Sequence, residues 1–358
     1  TLNLGLDVRG EYIDNIYSLP DNEIDDLRVT VAPRLTLGLD NQRFRLEARA
    51  QAAVRRYFDN PTENSVGASL VTSGAWRISA RDTFNFTASA ARSVEERGEP
   101  ESLRNPAISP RKYNILSGEL GYRHQGGRIV LGGRAGLQRV DALRRSDRER
   151  DYSQWTVQAR AGARVGAMTT AFVDGFVVGR DFDLARDLSG IDRDSRTVGA
   201  RAGVAIDPGG LIRGEAAVGV FRFNPSDPRL DSRTGVSVAA NLIYQPRERL
   251  AFTLDAFRGD VATVRTGATA RTDTRLRFGI QQEAYHNLRW QAGLVYRRTK
   301  YVGGGQRERI VGGVAEIEYL LNRRMAVALQ GRLSNRNSTD PLDDSHRRSI
   351  GLELRFQY

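Results

Sequence analysis

Arg348-Ser349-Ile350-Gly351-Leu352-Glu353-Leu354-Arg355-Phe356-Gln357-Tyr358 alternates along its whole length. Ile350, Leu352, Leu354, Phe356 and Tyr358 fall on one face of a strand. Ser349, Gly351, Glu353, Arg355 and Gln357 fall on the other. Successive side chains of a strand point to opposite faces, so one face here is apolar and the other carries charge. A soluble sheet shows this pattern with its apolar face on a core. A transmembrane barrel shows it with the apolar face in lipid and the polar face in a lumen. The rest of the chain separates the two.

The same period recurs from the start. Leu2, Leu4, Leu6 and Val8 oppose Asn3, Gly5, Asp7 and Arg9; Phe44, Leu46, Ala48, Ala50, Ala52 and Val54 oppose Arg45, Glu47, Arg49, Gln51 and Arg55. Short turns are predicted at Asp40-Asn41-Gln42, Ala80-Arg81-Asp82, Gln125-Gly126-Gly127, Gly166-Ala167-Met168, Asp207-Pro208-Gly209-Gly210, 245–249, Tyr285-His286-Asn287 and Leu321-Asn322-Arg323. Longer connections are predicted at 14–27, 58–64, 95–111, 141–151, 181–195, 223–233, 259–272, 299–308 and 335–346. Short and long alternate strictly, which divides the chain into about 18 strands of an antiparallel up-and-down barrel. The expected fold is therefore all-β: a transmembrane β-barrel filling 1–358 as a single domain. Both termini fall at the short-turn end, the periplasmic end of such a barrel. The turns at Asn41, Gly127 and Asn322 are expected there, and the regions of Pro100, Leu188 and Gly304 outside.

Composition narrows the class. There is no Cys, hence no disulfide framework and no thiolate metal site. Mean hydropathy is −0.47. No apolar run approaches the ~18 residues of a membrane helix, but lumen-facing residues dilute the hydropathy of a barrel too. The chain opens on Thr1-Leu2-Asn3-Leu4 without a basic and apolar leader, so an export signal is expected to have been removed. The net charge is +11, and Lys occurs only at Lys112 and Lys300. The arginines are spread over every segment and form no single patch, which argues against a nucleic-acid partner.

Aromatic residues cluster beside the short turns and the chain end. Phe44, Trp76, Phe84, Tyr122, Tyr244, Phe252, Trp290, Tyr319, Phe356 and Tyr358 fall on the apolar face, as a headgroup-level girdle does; Trp155 and Tyr296 begin an opposing set. The outward face is otherwise rich in small residues such as Ala88, Ala90, Ala135, Ala159, Ala161, Ala200 and Ala202, which suits lipid better than a packed core. The inward face then receives Arg34, Arg45, Arg49, Arg134, Arg160, Arg164, Arg201, Arg213, Arg275, Arg277, Arg289, Arg332 and Arg355. These side chains brace the wall through ion pairs, and any surplus lowers the barrier for anions. A barrel of this size is wide enough for an aqueous channel. Loops 95–111, 181–195 and 259–272 are candidates to fold inward, although exposed, mobile loops are the general expectation.

No catalytic or metal constellation emerges. His124 and His286 fall in predicted turns and His346 in a long loop, so they do not converge. Asp25-Asp26 and Asp343-Asp344 lie in loops and are expected to be solvated, or bridged through divalent cations to lipopolysaccharide phosphates. Gly303-Gly304-Gly305 precedes no helix and is no phosphate cradle. Neither enzymatic activity nor a cofactor is expected.

Tyr12-Ile13-Asp14-Asn15-Ile16-Tyr17-Ser18-Leu19-Pro20, followed by Asp26 and Val31-Ala32-Pro33, resembles the start of the "Putative beta-barrel porin 2" family of Gram-negative outer-membrane proteins. The closing strand is similar to the recognition signal of the barrel assembly machinery, with Phe356 and Tyr358 as its aromatic positions and Glu353 where Gly is usual. The resemblance implies an outer-membrane channel, often associated with export of surface polysaccharide. The expected cargo is an anionic solute or an acidic exopolysaccharide. The expected partners are the bilayer, lipopolysaccharide, the assembly machinery and periplasmic polysaccharide-export proteins. The alternative is a plugged barrel that anchors a periplasmic or surface assembly.

Overall fold

The computed structural model describes residues 1–207, 209–265, 268, 270–303 and 305–358. Among these the chain forms β1 (Leu2–Ile13), β2 (Asp26–Asp40), β3 (Phe44–Tyr57), β4 (Ser65–Arg77), β5 (Asp82–Val94), β6 (Lys112–Gln125), β7 (Ile129–Ala142), β8 (Tyr152–Arg164) and β9 (Thr169–Phe182). It continues through β10 (Ser195–Ile206), β11 (Ile212–Pro225), β12 (Arg233–Arg247), β13 (Leu250–Val261), β14 (Ala270–Tyr285), β15 (Leu288–Val302), β16 (Arg307–Asn322), β17 (Met325–Ser338) and β18 (Ser345–Gln357). Every strand pairs antiparallel with its sequence neighbours, and β1 pairs with both β2 and β18, which closes the barrel. The eighteen strands and their short–long alternation follow the period-two reading. Pro208, Gly304, Thr266, Gly267 and Thr269, which belong to three predicted connections, lie outside the described residues.

Both chain ends sit at the short-turn end. The Thr1 ammonium donates to the Gly38 carbonyl at 2.7 Å, and Leu4 and Tyr358 exchange backbone hydrogen bonds at 3.1 and 2.8 Å. A strand of 12 residues such as β1 crosses about 30 Å at the usual rise and a tilt near 40°, enough for an apolar band about 25 Å tall.

The outer face is what the alternation predicts. Leu120, Leu137, Leu294 and Leu352 are exposed with no protein over them. The aromatic rim is continuous across β3 to β6: Phe44 pairs with Trp76, Trp76 with Phe84, and Phe84 with Tyr122. Tyr244 stacks on Phe252 at 5.9 Å further round. At the other edge Trp155 lies across Gly179, where a Cβ would come within 2.3 Å of the indole. Side-chain burial, in contrast, is inside the barrel and mostly polar: Glu11, Arg28, Asp174, Glu316, Glu353 and Arg336 are all under a tenth exposed. Two clusters of buried apolar groups lie at the long-loop end, around Ile13, Ile16 and Tyr17 and around Phe221, Phe223 and Ala270, while Val130, Phe172, Ala326 and Ala328 are buried singly elsewhere in the wall.

Candidate functional site: an arginine-lined lumen crossed by a loop

The predicted luminal arginines do face inward, but they are two populations. One is neutralised. Arg34 pairs with Asp7, Arg45 with Asp40, Arg49 with Glu47 and Arg289 with Glu283 and Glu318. Arg160 is held by Asp174 at 2.6 Å and Glu215 at 2.7 Å. Arg355 reaches Glu316 at 2.9 Å and Glu353 at 2.7 Å, and also Glu318, so it ties β16 to β18 near the seam of the barrel. Glu353, the residue that departs from the usual Gly of the closing signal, is thereby a structural acid. The second population is Arg134, Arg164, Arg201, Arg213, Arg275, Arg277 and Arg332, which carry no ion pair among the described residues; Arg213 only donates to the Gln245 side-chain carbonyl at 3.2 Å.

Several of these guanidiniums lie on inward phenylalanines. Arg201 sits 4.6 Å from the centroid of Phe176, Arg275 4.5 Å from Phe257, and the paired Arg160 3.7 Å from Phe172. An arginine held flat on a ring keeps its charge and is restrained against the wall. Sequence reasoning placed aromatics on the lipid face and missed these rings. The signal was present: Phe172 and Phe176 share the parity of Asp174, and Phe257 that of Asp255. Two cavities open onto this lining. One of about 350 Å³ has Arg134, Arg160, Phe172 and Glu119 in its wall. The other, of about 620 Å³, has Arg9, Arg28, Arg55, Arg332 and the loop residues 96–99.

The loop between β5 and β6, residues 95–111, does not stand free. It crosses the lumen to the strands nine places round the barrel. Glu101 is the far anchor: its carboxylate accepts from the Thr263 hydroxyl at 2.7 Å, from the Val264 N–H at 3.2 Å and from Arg271 at 3.0 Å. Glu99 takes Arg297 at 2.5 Å, Arg336 donates to the carbonyls of Gly98 and Glu99 at 3.4 Å, and Arg104 pairs with Asp343. Near its root, Arg97 is clamped on Glu63 at 2.6 and 3.1 Å, with both side chains almost fully buried. Glu101 has φ +65° and Gly98 φ +87°. A glutamate in the left-handed region is uncommon and costs on the order of 1 kcal/mol, which its three hydrogen bonds offset.

This corrects the expectation of mobile outer loops. Residues 181–195 and the described residues of 259–272 join the same inward assembly: Arg193 pairs with Asp187 at 2.6 Å and donates to the Thr263 carbonyl at 3.4 Å. Burial pushes the Asp187 carboxyl up, but the Ile191 N–H, the Ser189 hydroxyl and Arg193 outweigh it and hold the group below the ordinary carboxylate range. Pro100 lies on the crossing segment at the long-loop end and is half-buried, whereas Leu188 is 88% exposed. The carboxylate pairs are also reassigned. Asp26 is buried and caps the N–H groups of Phe58, Asp59 and Asn60; Asp343 is buried among Arg104, Arg265 and Gln306; Asp344 accepts from the Ser338 N–H at 2.6 Å. They are structural acids because the turns they occupy supply N–H and guanidinium donors. His124 and His346 lie on β6 and β18, not in connections, and His124 faces Asp82 at 2.7 Å.

The family model described as "Putative beta-barrel porin 2" matches residues 1–358. The chain belongs to this family. It is accordingly a β-barrel of the bacterial outer membrane. Among curated proteins none matches it. Similar solved structures include the FrpB iron transporter from Neisseria meningitidis, with 10% identity, a TM-score of 0.49, and 99% of this chain and 81% of that one covered. They also include the outer membrane protein opdK from Pseudomonas aeruginosa, with 11% identity, a TM-score of 0.48, and 100% and 99% covered. A third is OccK2 (OpdF) from the same organism, with 11% identity, a TM-score of 0.48, and 99% and 97% covered.

In this porin-family barrel the N-terminal stretch that carried the resemblance is a pedestal for the crossing loop. Asn15 is fully buried; its amide donates to the Leu19 and His346 carbonyls at 2.8 and 3.0 Å and accepts from the Leu19 N–H at 2.9 Å. Tyr17 is 1% exposed, its ring 5.3 Å from the Arg97 guanidinium and its hydroxyl 3.3 Å from Asn60. Ser18, with φ +57°, packs against Gly98, where any Cβ would come within 2.6 Å of the Ser18 hydroxyl. The porin-family barrel thus presents a basic lumen narrowed from one side by a loop that its own N-terminal region supports.

Proposed function

We propose that this barrel is a channel for small anionic solutes, with the unpaired luminal arginines setting selectivity and residues 95–111 setting the width. The observation that carries the reading is the set Arg134, Arg201, Arg275, Arg277 and Arg332, which face the lumen and have no ion pair among the described residues. Among the described residues unpaired luminal acids are few: Glu119 carries no ion pair there, and Asp255 accepts only from Asn241. A guanidinium stays charged at any accessible pH, so the preference is not pH-gated. Its reach is a Debye length, about 10 Å at 0.1 M salt and about 3 Å at 1 M, so selectivity weakens as salt rises. Replacing Arg134, Arg201, Arg275 and Arg277 together by Gln moves the reversal potential in a salt gradient toward zero. Neutralising whole pairs, Arg45 with Asp40 and Arg49 with Glu47, conserves the luminal net charge and leaves it within a few millivolts. A cation-selective wild type in planar bilayers refutes the assignment.

The crossing loop also supports a second reading: a barrel occluded in its resting state and serving as an anchor for a surface or periplasmic assembly. Absence of conductance from folded, reconstituted protein favours it. An acidic polymer strand would need residues 95–111 displaced, so among anions the proposal is for small ones.

The proposal sets the short turns in the periplasm. A cysteine at Leu188 then reacts with an impermeant maleimide on intact cells, and one at Asn41 reacts only after lysis. The chain has no native Cys, so the readout is free of background. The reversed labelling pattern inverts the topology.

A further inference from the structure

The outer face carries a cationic patch that the channel reading does not use. On β15 and β16 the outward positions run Leu294, Tyr296, Arg298, Lys300 and Val311, Arg309, Arg307. Arg298 is paired in register with Arg309, and Lys300 with Arg307. All four cations are exposed. None has an ion pair among the described residues. Their same-face neighbours across the sheet are neutral or basic: Thr274 lies beside Arg298 and itself accepts from Arg258 at 3.2 Å, and Asn337 lies beside Arg309. Glu308, between two of the cations in sequence, points inward to Arg265 and Arg336. Like charges directly opposite on two strands are destabilising unless something outside the chain compensates them.

Their height identifies what does. Below Arg298 and Arg309 the face is apolar through Leu294 and Val311 to Trp290 and Tyr319 at the other rim. Those rim residues are eight and ten positions away along their strands, which is about 20 to 25 Å at the rise and tilt of a barrel strand, the height of the hydrocarbon band. The four cations therefore stand at headgroup level on the long-loop side. Elsewhere on that side the outward Arg139 is already neutralised by Asp141 and Asp183. We propose that Arg298, Lys300, Arg307 and Arg309 form a site for the phosphate groups of the phosphorylated glycolipid of the outer leaflet. Arginine forks suit phosphate oxygens, and a diphosphorylated headgroup spans two cross-strand pairs.

The test uses the full barrel in nanodiscs, with lipopolysaccharide, its enzymatically dephosphorylated form and phosphatidylglycerol as probes, and bound lipid per barrel read by native mass spectrometry. Lipopolysaccharide is retained by the wild type at least tenfold better than by the R298Q/K300Q/R307Q/R309Q variant, and dephosphorylation abolishes the difference. The R298K/R309K variant folds with the charge preserved and keeps most of the retention. Equal retention by wild type and the quadruple variant overturns the site. So does equal binding of the dephosphorylated form. Equal competition by phosphatidylglycerol overturns the glycolipid assignment. Because the patch faces lipid, the quadruple variant leaves the reversal potential of the channel unchanged, which separates this proposal from the luminal one.

Discussion

Replacing residues 98–105 by a short Gly-Ser turn raises the single-channel conductance several-fold, with the barrel still folded by heat-modifiable migration. The segment removed includes Glu99 and Glu101, which hold Arg297 and Arg271 on the far wall. The wall does not depend on them: Arg271 and Arg297 both retain Asp273, at 3.3 and 2.7 Å. A milder variant, Glu101→Ala, removes the hydrogen bonds to Thr263, Val264 and Arg271 while keeping the loop. Breaking one partner of a buried charged contact costs about 3 kcal/mol, enough to change a closed loop into a fluctuating one. Its expected signature is a noisy open level between the wild-type and deletion values. Unchanged conductance in both variants means that residues 95–111 do not bound the narrowest section.

Ala50→Arg and Ala161→Arg impair assembly. Ala50 lies between Leu35 and Leu70 near the middle of β3, and Ala161 between Leu131 and Val173 three residues from the short-turn end of β8, all on the lipid face. An arginine at the bilayer midplane, the level of Ala50, costs about 2–4 kcal/mol, and the cost falls toward the interface, so the Ala161 variant is the milder of the two. The luminal comparison is Arg49→Ala, whose exposed partner Glu47 is left in water and whose effect on folding is small. Arg160→Ala is no neutral control, because it strands Asp174, 2% exposed, without its main counter-charge. In urea titrations of the refolded barrel the order of stability is wild type, then Arg49→Ala, then the two outward variants. Equal loss at Ala50 and Arg49 means that the register of β3 is shifted by one.

The barrel itself was legible in the chain because its determinants are local. Period-two alternation from Leu2 to Tyr358, turn chemistry at Asn41 and Gly127, and aromatics beside the short turns each need only a few consecutive residues. Lipid imposes no jigsaw packing on the outer face, so the parity of a residue decides where it points. The lumen was legible only as a composition. That Arg160 is neutralised and Arg201 is not depends on which strands stand beside and across from each, since Glu215 lies on β11 and Asp174 on β9. The crossing loop was least legible. Its anchors to Glu101 lie some 160 to 170 positions away, and no local pattern announces a partner at that separation. The same loop composition, polar with Gly and Pro, serves a solvated loop and a pinned one equally well. Closure of the barrel brings Arg271, Arg297 and Arg336 opposite the root of β5, and those donors turn an ordinary surface loop into a bridge.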